Sequence, residues 1–309
     1  MRADKYKKRK KKRTWLKAVG IILLLLLIGG GVFAYNIYHS MRAAVDTMHK
    51  PVKSKNSRAG ELNFGKEQPF SVLLLGVDQR KGDVGRSDTM IVMTVNPNKE
   101  SVEMLSIPRD TRVEIVGRGT QDKINAAYAY GGVKMSMDTV QNFLDIPIDY
   151  YIKVNMEGFS EIVDALGGVT VNNNLDFSYG GYHFPKGQID LNGKKAINYV
   201  RMRKQDPRGD FGREERQRAV IQGIIDKGAS FSSLTHFSDV FQALGKNIET
   251  NLSFDDMVSI QKNYRNARKN IEKFQLQGQG QMINKIYYFV VPESERQKAH
   301  DRLKTHLEL

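Results

Sequence analysis

Past residue 68 the apolar positions follow two distinct periods. "PFSVLLLGVD" (69–78) is a continuous apolar run ending in a charged turn, the pattern of a strand buried on both faces. "TMIVMTVN" (89–96) and "SVEMLSIP" (101–108), joined by "PNKE", predict a hairpin. Val133, Met137, Val140 and Leu144 then recur at helical spacing, and "YYIKVNM" (150–156) returns to strand. Phe159, Ile162, Val163 and Leu166 form a second helical stripe, which Gly167 and Gly168 stop ahead of a short strand. Helical patterns recur at 192–203, 211–227 and about 253–271, and "IYYFVV" (286–291) closes as a strand. Strands alternating with helices predict an α/β fold, a three-layer α/β/α sandwich about a central mixed β-sheet. No internal repeat is present.

Ahead of this domain the pattern differs. Ala18–Tyr35 is eighteen residues without a charge, about 27 Å as a helix and close to the hydrocarbon thickness of a bilayer. The expectation is one transmembrane helix, 18–35, with Trp15 and Tyr35 at the two interfaces. A cleaved signal peptide is the alternative, because "VFA" at 32–34 loosely matches a processing site. Residues 36–68, with Lys, Ser, Asn, Gly and Pro51, read as an extracytoplasmic stalk, leaving 69–309 as the working domain.

Charge refines this layout. The 309 residues carry a formal +14, but residues 1–17 hold ten Lys/Arg against one Asp, leaving about +5 for the rest. That basic tail is therefore a topology signal: it stays cytoplasmic against anionic membrane lipid, and the domain lies outside. Nucleic acid is excluded as a partner by compartment. There is no cysteine, which removes disulfides, thiolate metal sites and a thiol nucleophile. His39 and His49 fall in the stalk, and His300 and His306 in the tail. With no zinc motif, nucleophile elbow or Walker loop, what remains is chemistry run by a metal and arginines.

Three constellations carry that chemistry. In "GVDQRKGDVGRSDT" (76–89), Asp78 ends a buried strand and Asp88 precedes the next. Such strand ends are where open α/β sheets place ligands, so the two carboxylates either share a Mg²⁺ or merely cap and solvate a loop. "SIPRDT" (106–111) ends a strand with Arg109 beside Asp110, either a fork for phosphate or a surface ion pair. The third is "RMRKQDPRGDFGREERQR" (201–218), seven Lys/Arg and four Asp/Glu in eighteen positions. On a helix beginning near Phe211, Val220, Ile221 and Ile224 define the buried stripe. Arg213 and Gln217 continue that stripe, with Arg216 at its flank and Arg218 further round. A buried arginine needs an anion. Arg201 and Arg203 approach from the preceding helical segment, and Asp210 is either an N-terminal cap or a partner that orients the arginines. The pattern fits a phosphate cradle or an internal Arg–carboxylate network.

Together "LLLGVDQR", "GRSDTMIVMTVNP", "SIPRDT", "KINAAYAYGG", "VNMEGFSEIVDALGGV" and "RMRKQDPRGDFGREERQR" closely resemble the LytR-CpsA-Psr family of cell-wall enzymes, from about Phe70 to the C-terminus. The resemblance implies a phosphotransferase on the outer membrane face of a Gram-positive bacterium. Such an enzyme moves an anionic glycopolymer, typically wall teichoic acid, from an undecaprenyl diphosphate carrier to the C6 hydroxyl of N-acetylmuramic acid in peptidoglycan, releasing undecaprenyl phosphate. It further implies Asp78 and Asp88 as ligands of Mg²⁺, with Mn²⁺ possible. Arg109, Arg201, Arg203 and Arg213, with Gln217, become diphosphate ligands. Arg216, Arg218, Arg86 and Lys123 are second-rank ligands, and Asp210 is the orienting acid. Catalysis falls to Asp78, Asp88, Arg109 and Arg213. A lipid-diphosphate hydrolase and a non-catalytic wall-polymer or lipid-carrier binding module are the competing functions.

Overall fold

The computed structural model describes residues 35–52, 54, 58, 60, 62–78, 85–230, 245 and 247–309. The basic tail and all but Tyr35 of the apolar run 18–35 lie outside the described residues. Among those described, no helix is long and apolar enough to cross a membrane. Residues 35–48 form helix α1. In chain order there follow β1 (Phe70–Val77), β2 (Ser87–Asn96), β3 (Ser101–Ser106), β4 (Arg112–Ile115), β5 (Thr120–Lys123) and α2 (Ala126–Leu144). Next come β6 (Tyr150–Asn155), α3 (Met156–Ala165), β7 (Val169–Asn173), β8 (Phe177–Tyr179), β9 (Tyr182–Phe184), β10 (Gly187–Leu191), α4 (Gly193–Arg201) and α5 (Asp210–Ser230). The chain ends with β11 (Ile248–Thr250), α6 (Phe254–Asn263), β12 (Asn270–Gln275), β13 (Gln279–Ile283), β14 (Ile286–Val290) and α7 (Glu293–His306).

The fold is α/β with a mixed six-stranded sheet in the order β11-β6-β1-β2-β3-β12. β1 runs parallel to β6 and antiparallel to β2, β2–β3 is the expected hairpin, and β3 runs parallel to β12. Because successive strand residues point to opposite faces, the apolar runs fill two cores at once. Leu73, Leu75, Met90, Val92 and Leu105 pack with Met137, Val140 and Leu144 of α2 and with Leu303 of α7. Val72, Ile91, Val95 and Met104 face the other way, against Ile221 and Ile225 of α5 and Met257 and Ile260 of α6. A third core, from Val163, Val171, Phe184, Tyr199 and Val220, joins α3, α4 and α5 to the small ribbons. α3 ends ahead of Gly167 and Gly168 as the sequence predicts.

Two expectations are corrected. The helical pattern at 253–271 splits: α6 stops at Asn263, a 3₁₀ turn covers Arg265–Lys269, and β12 begins at Asn270. As an edge strand, β12 alternates only weakly, and its pairing with β3, Ile271 opposite Val102, decides its state. The C-terminal stretch read as a tail is α7, a highly charged helix that buries Ala299, His300, Leu303 and His306. His306 is held between the hydroxyls of Thr94 and Ser101, 2.8 Å from each. Within the segment read as a stalk, α1 packs Met41, Val45 and Met48 against Phe254.

Candidate functional site

β1, β3, β6 and β12 all end, and β2 begins, at the same end of the sheet. That topology gathers residues distant in sequence. Asp78 follows the last residue of β1. Asp88 falls in a bulge of β2, since Val77 pairs with Ser87 while Gly76 pairs with Thr89, and a bulge re-aims its side chain. Gly76 permits the close approach there: a Cβ on it would lie 2.8 Å from that of Thr89.

Arg109, three residues past β3, donates through Nη1 to Asp88 Oδ1 at 2.9 Å, and its Nε lies 3.7 Å from Asp110 Oδ2. Lys123, at the end of β5, holds the other Asp110 oxygen at 2.6 Å. From the far side, Arg201 at the C-terminus of α4 brings its Nη2 to 4.0 Å from Asp78 Oδ1. Asp210 opens α5 between two guanidinium groups, with Arg203 Nη1 at 3.5 Å and Arg213 Nη2 at 3.1 Å. The contact with Arg213 is an ion pair without hydrogen-bond alignment, for Asp210 Oδ1 has no hydrogen-bond partner.

Arg213 is the most buried of these cations, its side chain 11% exposed, as its place on the apolar stripe requires. Burial depresses its pKa; Asp210 opposes the shift and the neighbouring charge of Arg109 adds to it. Burial also works against Arg109, but the Asp88 hydrogen bond and the fields of Asp88, Asp210 and Asp110 prevail and raise its pKa. Arg109 Nε and Arg213 Nε are both buried donors without a hydrogen-bond partner. Two neighbouring guanidinium groups with unused N–H vectors near a helix N-terminus have the chemistry to hold an anion. Gln217 is half-buried one turn along α5, and Arg86 stands exposed just ahead of β2.

Arg216 and Arg218 are engaged within the fold, although Arg218 keeps a buried Nε without a hydrogen-bond partner. Arg216 donates to Asp206 Oδ2 at 2.7 Å and to the carbonyls of Met202 at 2.6 Å and Tyr199 at 3.2 Å, over the ring of Phe177. Arg218 reaches Ser106 Oγ at 2.5 Å and Gln275 Oε1 at 3.2 Å, tying α5 to the ends of β3 and β12. The reason is that α5 is wedged between the sheet and the α4 layer, so that its flanks are as dry as its stripe. Arg216 braces the loop 202–209 that carries Arg203. Gly212 makes the brace possible, because a Cβ there would fall 1.8 Å from Asp206 Oδ2.

Two acids of the 201–218 stretch play parts that spacing alone did not separate. Asp206 is the buried partner of Arg216, its pKa lowered because hydrogen bonds from the Arg208 backbone, Arg216 and Arg208 outweigh its desolvation. Glu214 is buried with Oε2 unpartnered, and burial pushes it up to about 7 against the pull of Arg218 and Arg213. For a metal, Asp78 and Asp88 offer two oxygen donors, and no group of three His, Cys, Asp or Glu suited to one occurs among the described residues. Mg²⁺ fits such a donor set, since it commonly takes one or two carboxylates and completes its shell with water and phosphate oxygens.

A mixed α/β sheet with arginines and carboxylates gathered at its strand ends sets the class, and the chain belongs to the LytR_cpsA_psr family, whose model matches residues 34–305. The polyisoprenyl-teichoic acid–peptidoglycan teichoic acid transferase TagU of Bacillus subtilis is 52% identical over 97% of this chain and 98% of its own length. The crystal structure of that TagU covers 78% of this chain and 98% of its own, with a TM-score of 0.65. The structure described as TagT bound to LI-WTA is 33% identical, covers 84% of this chain and 100% of its own, and has a TM-score of 0.72.

Proposed function

We propose that the chain is a glycopolymer phosphotransferase that moves an anionic glycopolymer, wall teichoic acid in the first instance, from undecaprenyl diphosphate to the C6 hydroxyl of peptidoglycan N-acetylmuramic acid. The observation that carries this reading is the pairing of Arg109 and Arg213, partly buried cations that share the same acidic neighbours and each keep a buried Nε–H without a hydrogen-bond partner. A diphosphate supplies the oxygens they lack. The names of the relatives support the same substrate class.

Arg109 and Arg213 grip the diphosphate from the sheet and from α5, with Arg201 and Arg203 closing from the loop side. Asp210 holds Arg203 and Arg213 apart and aimed. Asp78 and Asp88 would hold Mg²⁺, which would supply charge neutralisation to the diphosphate oxygens. The acceptor oxygen forms its bond to the phosphorus bearing the polymer, and the bond from that phosphorus to the bridging oxygen breaks. Undecaprenyl phosphate leaves, and the hydroxyl proton passes to Asp88. The apolar run 18–35 anchors the chain, basic tail inside, in the cell membrane as a single-pass type II protein, so that the site works on the outer face.

The test incubates the full chain in vesicles with labelled lipid-linked donor, Mg²⁺ and peptidoglycan. Acceptor-dependent covalent labelling of the glycan is expected. Release of free sugar phosphate alone contradicts transfer and makes the protein a hydrolase.

A further inference from the structure

β12 runs toward the end of the sheet that carries the site, and the chain continues past that end into the β13–β14 hairpin before α7 brings it back along the sheet. The hairpin stands beside the site: Phe289 N donates to Asp110 O at 2.8 Å, and the Tyr287 ring lies 6.0 Å from Lys123 Nζ. Its tip is unusual for a surface. Met282, Ile286 and Tyr287 are 66%, 48% and 47% exposed, and among residues 276–291 the only charge is Lys285, in the turn.

The register determines what the tip can cover. Met282 pairs with Tyr287 and Ile283 with Ile286, so these pairs point to opposite faces of the ribbon. One partner surface could bury one face and leave the other in water. A medium that surrounds the tip satisfies both. Clustered exposed apolar side chains, unlike single ones, mark an interaction site.

The path of α1 gives the direction. His49 bridges Thr250 in parallel, β11 is antiparallel to β6, and β6 is parallel to β1. The chain at His49 therefore runs away from the Asp78 end of the sheet, and α1 precedes it. Ile37 of α1 packs in the cluster that contains Ile248, the β11 residue paired with Val154 opposite Gly76. α1 thus enters the domain from the same end of the sheet as the site and the hairpin.

We propose that the β13–β14 tip is a second membrane contact, in which Met282, Ile283, Ile286 and Tyr287 enter the interfacial layer of an anionic bilayer and Lys285 meets its phosphate headgroups. This rests on the anchored reading of residues 18–35. Tyr287 suits the interface, where aromatic rings with a polar end collect, and Lys285 can extend its amine to the headgroups. The open edges of a two-stranded ribbon set the depth, for unpaired backbone groups are excluded from hydrocarbon. The contact would hold the mouth formed by Arg109 and Lys123 at the level where a lipid diphosphate lies.

The full chain, with Trp15→Phe and Tyr287→Trp, is reconstituted in vesicles of phosphatidylcholine and phosphatidylglycerol containing lipid brominated near the headgroup end of the acyl chain. Met282→Trp serves as a second reporter on the same face, and Val258→Trp, exposed on α6, as a reference. The expected result is quenching at 282 and 287 about threefold above that at 258, with a blue-shifted emission. Equal quenching at all three positions, with the chain co-floating with vesicles, overturns the hairpin contact and leaves the anchor standing. Failure to co-float overturns both. A response at 287 to soluble peptidoglycan fragments but not to brominated lipid also overturns it, and makes the tip a glycan platform.

Discussion

Arg109 and Asp88 form a hydrogen-bonded pair, Nη1 to Oδ1 at 2.9 Å, that joins the segment after β3 to the start of β2. The carboxylate proposed to take metal and proton is thus the one that positions the Arg109 guanidinium. Asp88→Asn is expected to abolish transfer and weaken donor binding together. Arg109→Lys keeps the charge but loses the fork, and transfer should fall about 10- to 100-fold, the worth of one charged hydrogen bond. Steady-state kinetics of the two variants checks this, with thermal unfolding to show that the fold is retained.

Asp210 separates two cations. In Asp210→Ala, Arg203 and Arg213 lose their shared partner, and the loss of aim should appear mainly in kcat, with KM raised a few-fold at most. Asp210→Glu, which restores the charge one methylene further out, should recover part of the rate. A variant with unchanged kcat would make Asp210 only a helix cap.

Arg216 is predicted to matter for stability rather than chemistry. Arg216→Ala leaves the buried Asp206 carboxylate with Arg208 as its one arginine partner and frees the loop 202–209, which should cost about 1–3 kcal/mol. Denaturant unfolding measures it. Arg216→Lys, a point charge in place of three separate donations, should recover less than half.

Two buried groups impose opposite pH slopes. The Glu214 pKa is raised by burial from 4.5 to about 7, so its contribution to stability is complete below pH 4.5 and is lost as pH rises through about 7. Glu214→Gln should flatten that window and stabilise the protein above it by up to about 3 kcal/mol. The His306 pKa is lowered by burial, with Lys99 and Arg302 adding to the effect, from 6.5 to about 4. Its contribution is complete above pH 6.5 and is lost as pH falls through about 4. His306→Gln should remove that acid-side slope. Melting temperatures from pH 4 to 8 for the three proteins separate the two effects.

The sequence made the strands of the sheet centre legible, because they are apolar on both faces and end in charged turns. Arg213 was legible because its helical angle put it in a buried stripe. Arg216 and Arg218 lie deeper than their helical angles suggest, since helical angle ranks burial against one surface and α5 is packed against two. β12 and α7 were missed for a related reason: both are rich in charge and weakly patterned, and only pairing with β3 or insertion of His306 fixes their place. The stretch 286–291 reads as a strand and is β14; the exposure of Ile286 and Tyr287 follows from the position of the hairpin tip beyond the end of the sheet.

The most direct measurement of the central claim is calorimetric titration of a short-chain lipid-linked sugar diphosphate into the full chain and into Arg213→Ala and Arg216→Lys. The account predicts a loss of affinity of about 10- to 100-fold for Arg213→Ala and an affinity within a few-fold of the unaltered chain for Arg216→Lys. Equal binding by Arg213→Ala and the unaltered chain would contradict it, showing that the buried arginine cluster at the head of α5 does not hold the diphosphate.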